Sequence, residues 1–146
     1  MEPRVDVITL AVADLELALA FYRRLGLESN GIVGIELADE MTGANGAIAM
    51  FKLEGGTLLN LYPRDDLAKD AAIPVGPPQS GEFSLAQLVR SRDEVDELLE
   101  NAAAAGATVT PARDRPWGIY SGYFRDPDGH LWEVIWRPNA VPKPRA

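Results

Sequence analysis

Cysteine is absent from all 146 residues, which excludes a disulfide framework, a thiolate metal site and a cysteine nucleophile. Histidine is almost absent as well, with His130 standing alone. No stretch approaches the run of about 18 apolar residues that a membrane helix requires. The opening Met1-Glu2-Pro3-Arg4 leads straight into a strand-like segment without a secretory pattern. Positive charge is scarce: 14 Lys and Arg against 22 Asp and Glu give a net charge of −8. A nucleic-acid binder would need a basic surface to neutralise phosphates. These absences point to a cytoplasmic globular protein with neither a nucleic-acid nor a membrane partner. The acidic balance suits a cationic small molecule and equally suits an ordinary solvated surface.

What is present has the proportions of a folded domain, 47% hydrophobic and 25% charged residues. The length fits one compact domain or two small modules sharing a core. Near the middle, Pro63 to Glu82 holds four of the eleven prolines. Asp65 to Ala72 is expected as a short aspartate-capped helix and Pro74 to Gly81 as a connecting loop. On either side the same order of elements recurs. The first half reads as a strand over Val5–Val12, a helix over Leu15–Leu25 and strands over Ile32–Leu37, Ala47–Leu53 and Thr57–Tyr62. Its helix has Asp14 as N-cap, Ala18, Phe21, Tyr22 and Leu25 at packing intervals, and Gly26 as its stop. The second half reads as a strand over Phe83–Val89, then a helix opened by the capping box Ser91-Arg92-Asp93-Glu94 and closed by Gly106. Strands over Ala107–Pro111, Tyr120–Arg125 and His130–Arg137 follow. The order β-α-β-β-β occurs twice, and internal duplication is the economical explanation.

The richest segment is Gly122 to Trp136. Asp126-Pro127-Asp128-Gly129 forms a turn between two runs of aromatic and β-branched residues, which predicts a hairpin. In the second run His130, Trp132, Val134 and Trp136 point one way and Leu131, Glu133 and Ile135 the other. A carboxylate flanked by Leu and Ile is costly to bury without a partner. Glu133 therefore either acts as a general base or ligand anchor, or pairs with an arginine such as Arg113, Arg115 or Arg125, or reaches solvent through the mouth of a cavity.

Two segments carry a resemblance. Ile8-Thr9-Leu10-Ala11-Val12-Ala13-Asp14-Leu15 with Ala20-Phe21-Tyr22-Arg23-Arg24-Leu25-Gly26-Leu27 resembles the opening of the vicinal oxygen chelate superfamily. Tyr123-Phe124-Arg125-Asp126-Pro127-Asp128-Gly129-His130-Leu131-Trp132-Glu133-Val134 resembles its closing hairpin. This is the glyoxalase, bleomycin-resistance and extradiol-dioxygenase group, and the resemblance covers about residues 5 to 137. It implies an α+β fold of two tandem βαβββ modules, each an open half-barrel with a ligand cavity on its concave side. Its boundaries here are module one 4–64, linker 65–82, module two 83–137 and a tail 138–146. The resemblance also implies a homodimer, and the tail is expected to be disordered or to lie on a partner.

Metal-dependent members of the superfamily hold a divalent ion with residues on the first and last strands of each module. The matching positions here are Val7, Asn60, Ser84 and Glu133, and only Glu133 fits that pattern. Val7 cannot ligate, and Asn60 and Ser84 are weak ligands. His130 faces away from Glu133, Gln87 reaches the cavity only through a bulge, and Asp126 and Asp128 suit turn chemistry. No metal and no cofactor are therefore expected. Glu133 is the candidate catalytic group, and Val7, Asn60, Tyr62, Ser84, Trp117, Tyr120 and Glu133 are the candidate ligand-binding set. Trp117 and Tyr120 are expected at the cavity rim, the alternative for Trp117 being a plug at the end of the core. Either Met50 or Phe51 faces the cavity. The expected function is metal-independent binding of a small organic molecule, as in the bleomycin-resistance branch. The alternative is a glyoxalase-type lyase or isomerase using Glu133 as a base or as a metal ligand. Ring-cleaving oxygenation needs two histidines and a carboxylate facing iron, and a lone histidine on the other face argues against it.

Overall fold

Strand β1 (Val7–Val12) and helix α1 (Leu15–Arg24) are followed by β2 (Ile32–Val33), β3 (Ile48–Lys52), β4 (Leu58–Pro63) and α2 (Arg64–Ala71). The second series is β5 (Leu85–Leu88), α3 (Arg92–Ala105), β6 (Thr108–Val109), β7 (Arg113–Asp114), a 3-10 turn over Pro116–Gly118, β8 (Tyr120–Arg125) and β9 (Leu131–Trp136). This is a computed structural model that describes residues 1–78 and 80–138. The expectation for the tail falls, apart from Pro138, outside the described residues. The chain divides into two units, Met1–Pro78 and Gln79–Ala146.

Each unit repeats one plan, and the expected α+β architecture of two βαβββ modules is present. In the first sheet the order is β1-β4-β3-β2, and in the second β5-β9-β8-β6 with β7 also on β8. The first strand lies parallel to the last in both: Thr9 is paired with Asn60, and Ala86 with Glu133. The remaining pairs are antiparallel. A parallel pair needs a long crossover, and here the crossover contains the helix.

The helices cover one face of each sheet. In the first unit Leu10, Val12, Ala49, Phe51, Leu59 and Leu61 are buried together with Ala18, Leu19, Phe21 and Tyr22 of α1. Tyr22 meets Phe21 edge-on at 5.0 Å and lies 6.0 Å from Phe51. The side chain of Asp14 caps α1 by accepting the Leu17 N–H at 3.1 Å. In the second unit Val95, Leu99 and Ala102 of α3 are buried, as are Phe124 and Val134 of the sheet. Ser91 Oγ accepts the Glu94 N–H at 3.1 Å, whereas Glu94 reaches one residue past the cap to the Arg90 N–H at 2.7 Å.

Several expectations are corrected. The strand expected over Ile32–Leu37 stops at Val33, and Ile35 and Leu37 are exposed. Gly34 sits so close to Gly46 that a Cβ on Gly34 would lie 2.3 Å from the Gly46 carbonyl oxygen. The chain therefore leaves the sheet there instead of extending it. Helix α2 has no side-chain cap; Asp66, rather than serving as one, accepts the Asn45 N–H at 3.0 Å. The strand expected over Ala107–Pro111 shortens to Thr108–Val109, and β7 forms over Arg113–Asp114, where no strand is expected.

Gly122 marks the tightest point under α3. A Cβ there would lie 2.6 Å from Leu99 Cδ1 and 3.2 Å from the backbone of Thr110 and Ala112. Gly122→Ala is expected to destabilise the protein by about 1–3 kcal/mol, as overpacked cores do. Urea unfolding monitored by circular dichroism checks this, and an unchanged midpoint would show that the site relaxes freely.

Candidate functional site

The register of β9 decides what shares a face with Glu133. Glu133 is paired with Tyr123 on β8 and with Ala86 on β5. Residues paired across a ladder lie on the same face, so Ala86, Glu133 and Tyr123 form one row on the face opposite α3. Thr110 continues the row, its hydroxyl accepting the Tyr123 N–H at 2.9 Å. One row further along are Ile135, Ser121 and Arg113. Trp132 and Val134 occupy the helix side, where Trp132 stacks on Phe124 at 5.9 Å with planes 6° apart. Glu133 is half-buried, and among the described residues it has neither a hydrogen bond nor an ion pair. The pairing with Arg113, Arg115 or Arg125 considered above is not made. Arg125 instead donates to the carbonyls of Ser80 and Gly129, at 2.7 and 2.6 Å.

The equivalent face of the first unit carries Val7, Thr9, Leu58, Asn60, Met50 and Lys52. Val7 is exposed there, and Asn60 is only 9% exposed, with its Oδ1 buried and unpartnered. Met50 is paired with Asn60 and exposed, whereas Phe51 is buried against α1. That decides between them in favour of Met50. An open depression of about 1070 Å³ is lined by Val33, Met50, Lys52, Leu58 and the loop after α1. By alternation Tyr62 shares the Asn60 face, and its hydroxyl donates to the Asn45 carbonyl. Burial, and then the nearby Asp66, raises the Tyr62 phenol above its usual 10.0.

The other sequence candidates are distributed unevenly. Ser84 lies just before β5 and is exposed. Gln87 is paired with Val134 in an uninterrupted ladder, so no bulge brings it to the Glu133 face. His130 is held by the hairpin turn, its Nδ1 2.7 Å from Asp126 Oδ2. Asp126 Oδ1 accepts the N–H groups of Asp128 and His130 at 3.0 and 2.9 Å, which is turn chemistry as expected. Trp117 is 89% exposed at φ +63°, a left-handed conformation uncommon for a bulky residue. It plugs no core. Tyr120 is paired with Trp136 on the helix side and donates to Asp96 Oδ1 at 2.6 Å. The strand thus directs it away from the Glu133 face, and the rim pairing with Trp117 is not formed.

Sequence reasoning missed the corner beside this face. A depression of about 540 Å³ is lined by Thr110, Pro111, Arg113, Arg115 and Tyr123. The Arg115 guanidinium lies 5.9 Å from the Tyr123 ring, and its Nε is buried without a partner. Asp114 between the two arginines points the other way and meets Arg92 of α3 at 2.7 Å. The alternation Arg-Asp-Arg held the signal, but no apolar residue marked it as a strand.

The four superfamily ligand positions supply a hydrocarbon, an amide, a hydroxyl and one carboxylate, from Val7, Asn60, Ser84 and Glu133. Among the described residues no three His, Cys, Asp or Glu gather to hold a metal ion. With Glu133 as the one strong ligand beside a hydrocarbon, an amide and a hydroxyl, this donor set does not fit a divalent ion.

The hydrogen bond that the Tyr120 hydroxyl donates to Asp96 is the main cause raising its phenol above the usual 10.0. The Arg92 guanidinium, 4.1 Å from the Tyr120 ring centroid, opposes it. A phenol raised on folding stabilises the protein below its unfolded value, and the contribution is lost as pH rises through the folded value. Asp96→Ala is therefore expected to lower the midpoint of the phenolate absorbance component that Tyr120→Phe removes. An unchanged midpoint would remove the hydrogen bond from the account.

Comparison with known proteins agrees with this architecture. The family model described as the Glyoxalase/Bleomycin resistance protein/Dioxygenase superfamily matches residues 4–134. A glyoxalase-related enzyme from Fulvimarina pelagi is 31% identical, covering 93% of this chain and 89% of that one, with a TM-score of 0.76. The metallothiol transferase FosB of Shouchella clausii (strain KSM-K16) is 29% identical over 132 residues, 89% of this chain and 77% of that protein. The fosfomycin resistance protein FosX from Listeria monocytogenes is 25% identical, covering 95% of this chain and 97% of that one, with a TM-score of 0.67. Among the described residues no helix is long and apolar enough to cross a membrane. The chain belongs to the glyoxalase/bleomycin resistance protein/dioxygenase superfamily.

Proposed function

We propose that this protein binds a small organic molecule on the sheet faces opposite its helices, without a divalent metal. One observation carries the reading. The superfamily's ligand positions retain a single anionic donor, Glu133, while Val7, Asn60 and Ser84 hold side chains that bind a divalent ion weakly or not at all. Glu133 is then a free carboxylate on the Tyr123 row, suited to anchor a cationic or hydrogen-bond-donating part of the ligand. Asn60 supports the same reading, because its buried Oδ1 lacks a partner within the protein and a ligand donor would satisfy it. The reading includes a cytoplasmic homodimer, which the cysteine-free composition and the family resemblance favour.

A lyase or isomerase reading is the alternative. Its support is the same unpaired Glu133, which has no internal cation to occupy it and is free to accept a proton from a bound substrate.

Elemental analysis of the purified, dialysed full chain is expected to find zinc, nickel, manganese and iron well below one ion per chain. A stoichiometric ion that survives dialysis would overturn the metal-free reading. In tryptophan-fluorescence titrations against a panel of small molecules, Glu133→Gln is expected to weaken a cationic binder about tenfold, the scale of a charged hydrogen bond. Unchanged affinity would take Glu133 out of the site.

A further inference from the structure

The Arg113–Arg115 corner has three properties that the fold alone does not require. It brings two arginines to one side of β7 in a protein of net charge −8. Neither arginine side chain has a hydrogen bond or ion pair among the described residues, although Asp114 stands between them. The Asp114 carboxylate is taken by Arg92 on the helix side, and that bond lowers its pKa. The alternation of the strand thus separates the acid from the two bases.

The second property is unmet hydrogen bonding. Arg115 Nε is buried without a partner, and so is the Oγ of Ser121, a fully buried residue paired with Arg113. A buried polar group left without a partner subtracts from stability, more so when charged, so such groups call for an explanation. Both are donors. The third property is a built wall: Thr110, Pro111 and Tyr123 complete a depression of about 540 Å³. The Tyr123 ring also holds the Arg115 guanidinium by a cation–π contact.

We infer that this corner binds the anionic, oxygen-rich group of the ligand, a carboxylate or a phosphonate, with Arg113 and Arg115 as its counter-charges. The inference deepens the functional reading above and rests on it. A planar guanidinium presents a fork of N–H donors that matches carboxylate and phosphonate oxygens. The corner also sets the ligand's length. Glu133 is separated from Arg113 by β8 and by two residues along the strands. At ordinary sheet spacings that is roughly 12 Å between Cα atoms. Two long arginine side chains and one glutamate reaching inward leave room for a small molecule acidic at one end and basic or hydrogen-bond-donating at the other.

The test uses the full chain and two probes, benzoate and methylphosphonate, titrated by calorimetry at constant ionic strength set with chloride. Saturable binding of one or both probes is expected, and the better one shows whether planar or tetrahedral oxygens suit the corner. Arg113→Gln and Arg115→Gln are each expected to weaken it about tenfold, corresponding to about 1.4 kcal/mol. Arg115→Lys should recover part of the loss, since charge is kept and the fork is not. Arg24→Gln, an exposed change on α1 with the same effect on net charge, is expected to bind like the parent. Circular dichroism confirms that each variant is folded. Equal affinity across all variants, or binding that chloride abolishes, would overturn the inference. Neutral and cationic organic molecules run in parallel separate the two levels. If they bind and the anions do not, the anionic class is wrong and the small-molecule reading stands. If nothing binds, both fall.

Discussion

Asp126 accepts two backbone N–H groups of its own turn and meets the His130 ring at 2.7 Å, while Gly129 at φ +85° donates its N–H to the Asp126 carbonyl at 2.9 Å. This network joins β8 to β9, and a hairpin's register is set by its turn. A slip of one residue would carry Glu133 under α3 and turn Trp132 and Val134 to the opposite face. The penalty would be twofold, an unpaired carboxylate in the core and bulky apolar groups taken out of it. The placing of Glu133 on the Tyr123 row and of Trp132 against Phe124 follows from that register, while alternation along β8 itself separates Tyr120 from Tyr123. The lone histidine is thus explained as a component of the turn.

The same parallel pairing of first and last strands in both units gives the duplication its physical content. Thr9 opposite Asn60 is matched by Ala86 opposite Glu133, and Met50 opposite Asn60 by Tyr123 opposite Glu133. Equivalent positions hold an amide in one unit and a carboxylate in the other. The fold conserves the geometry of the row and leaves its chemistry free, as expected where one scaffold serves several functions.

Alternation and capping made much of this legible. Leu131, Glu133 and Ile135 separate correctly from Trp132, Val134 and Trp136, and Asp14 and Ser91 mark their helix starts. Misreadings arose where a non-local contact overrode a local pattern. Ile32 to Leu37 has strand-like residues, but the close approach of Gly34 and Gly46 takes the chain out of the sheet. The helix expected over Asp65–Ala72 has no aspartate cap, and Asp66 is drawn to the Asn45 backbone. Arg113-Asp114-Arg115 has no apolar member, so only its pairing with β8 makes it a strand. Tyr120, expected at the cavity rim with Trp117, shares the parity of Gly122 and Phe124 and so lies on the helix side.

The unmet polar atoms of this protein lie away from its helix-packed faces. Among the described residues, the buried side-chain atoms without partners are Asn60 Oδ1, Ser121 Oγ and Arg115 Nε. Asn60 and Ser121 lie on strands, on the faces opposite the helices, and Arg115 borders the second of those faces. Trp117, a bulky residue at positive φ and almost fully exposed, lies two residues beyond Arg115. On the helix-covered faces the picture is reversed: Tyr120 is bonded to Asp96, Arg92 to Asp114, and Trp132 is stacked on Phe124. Groups left unsatisfied in a folded protein concentrate where a ligand completes them, because elsewhere they only subtract from stability. Tyr62, Thr110 and Arg125 are bonded on these same faces, so the unmet capacity is local to Asn60, Ser121 and Arg115, and it is at these positions that the proposed ligand has most to supply.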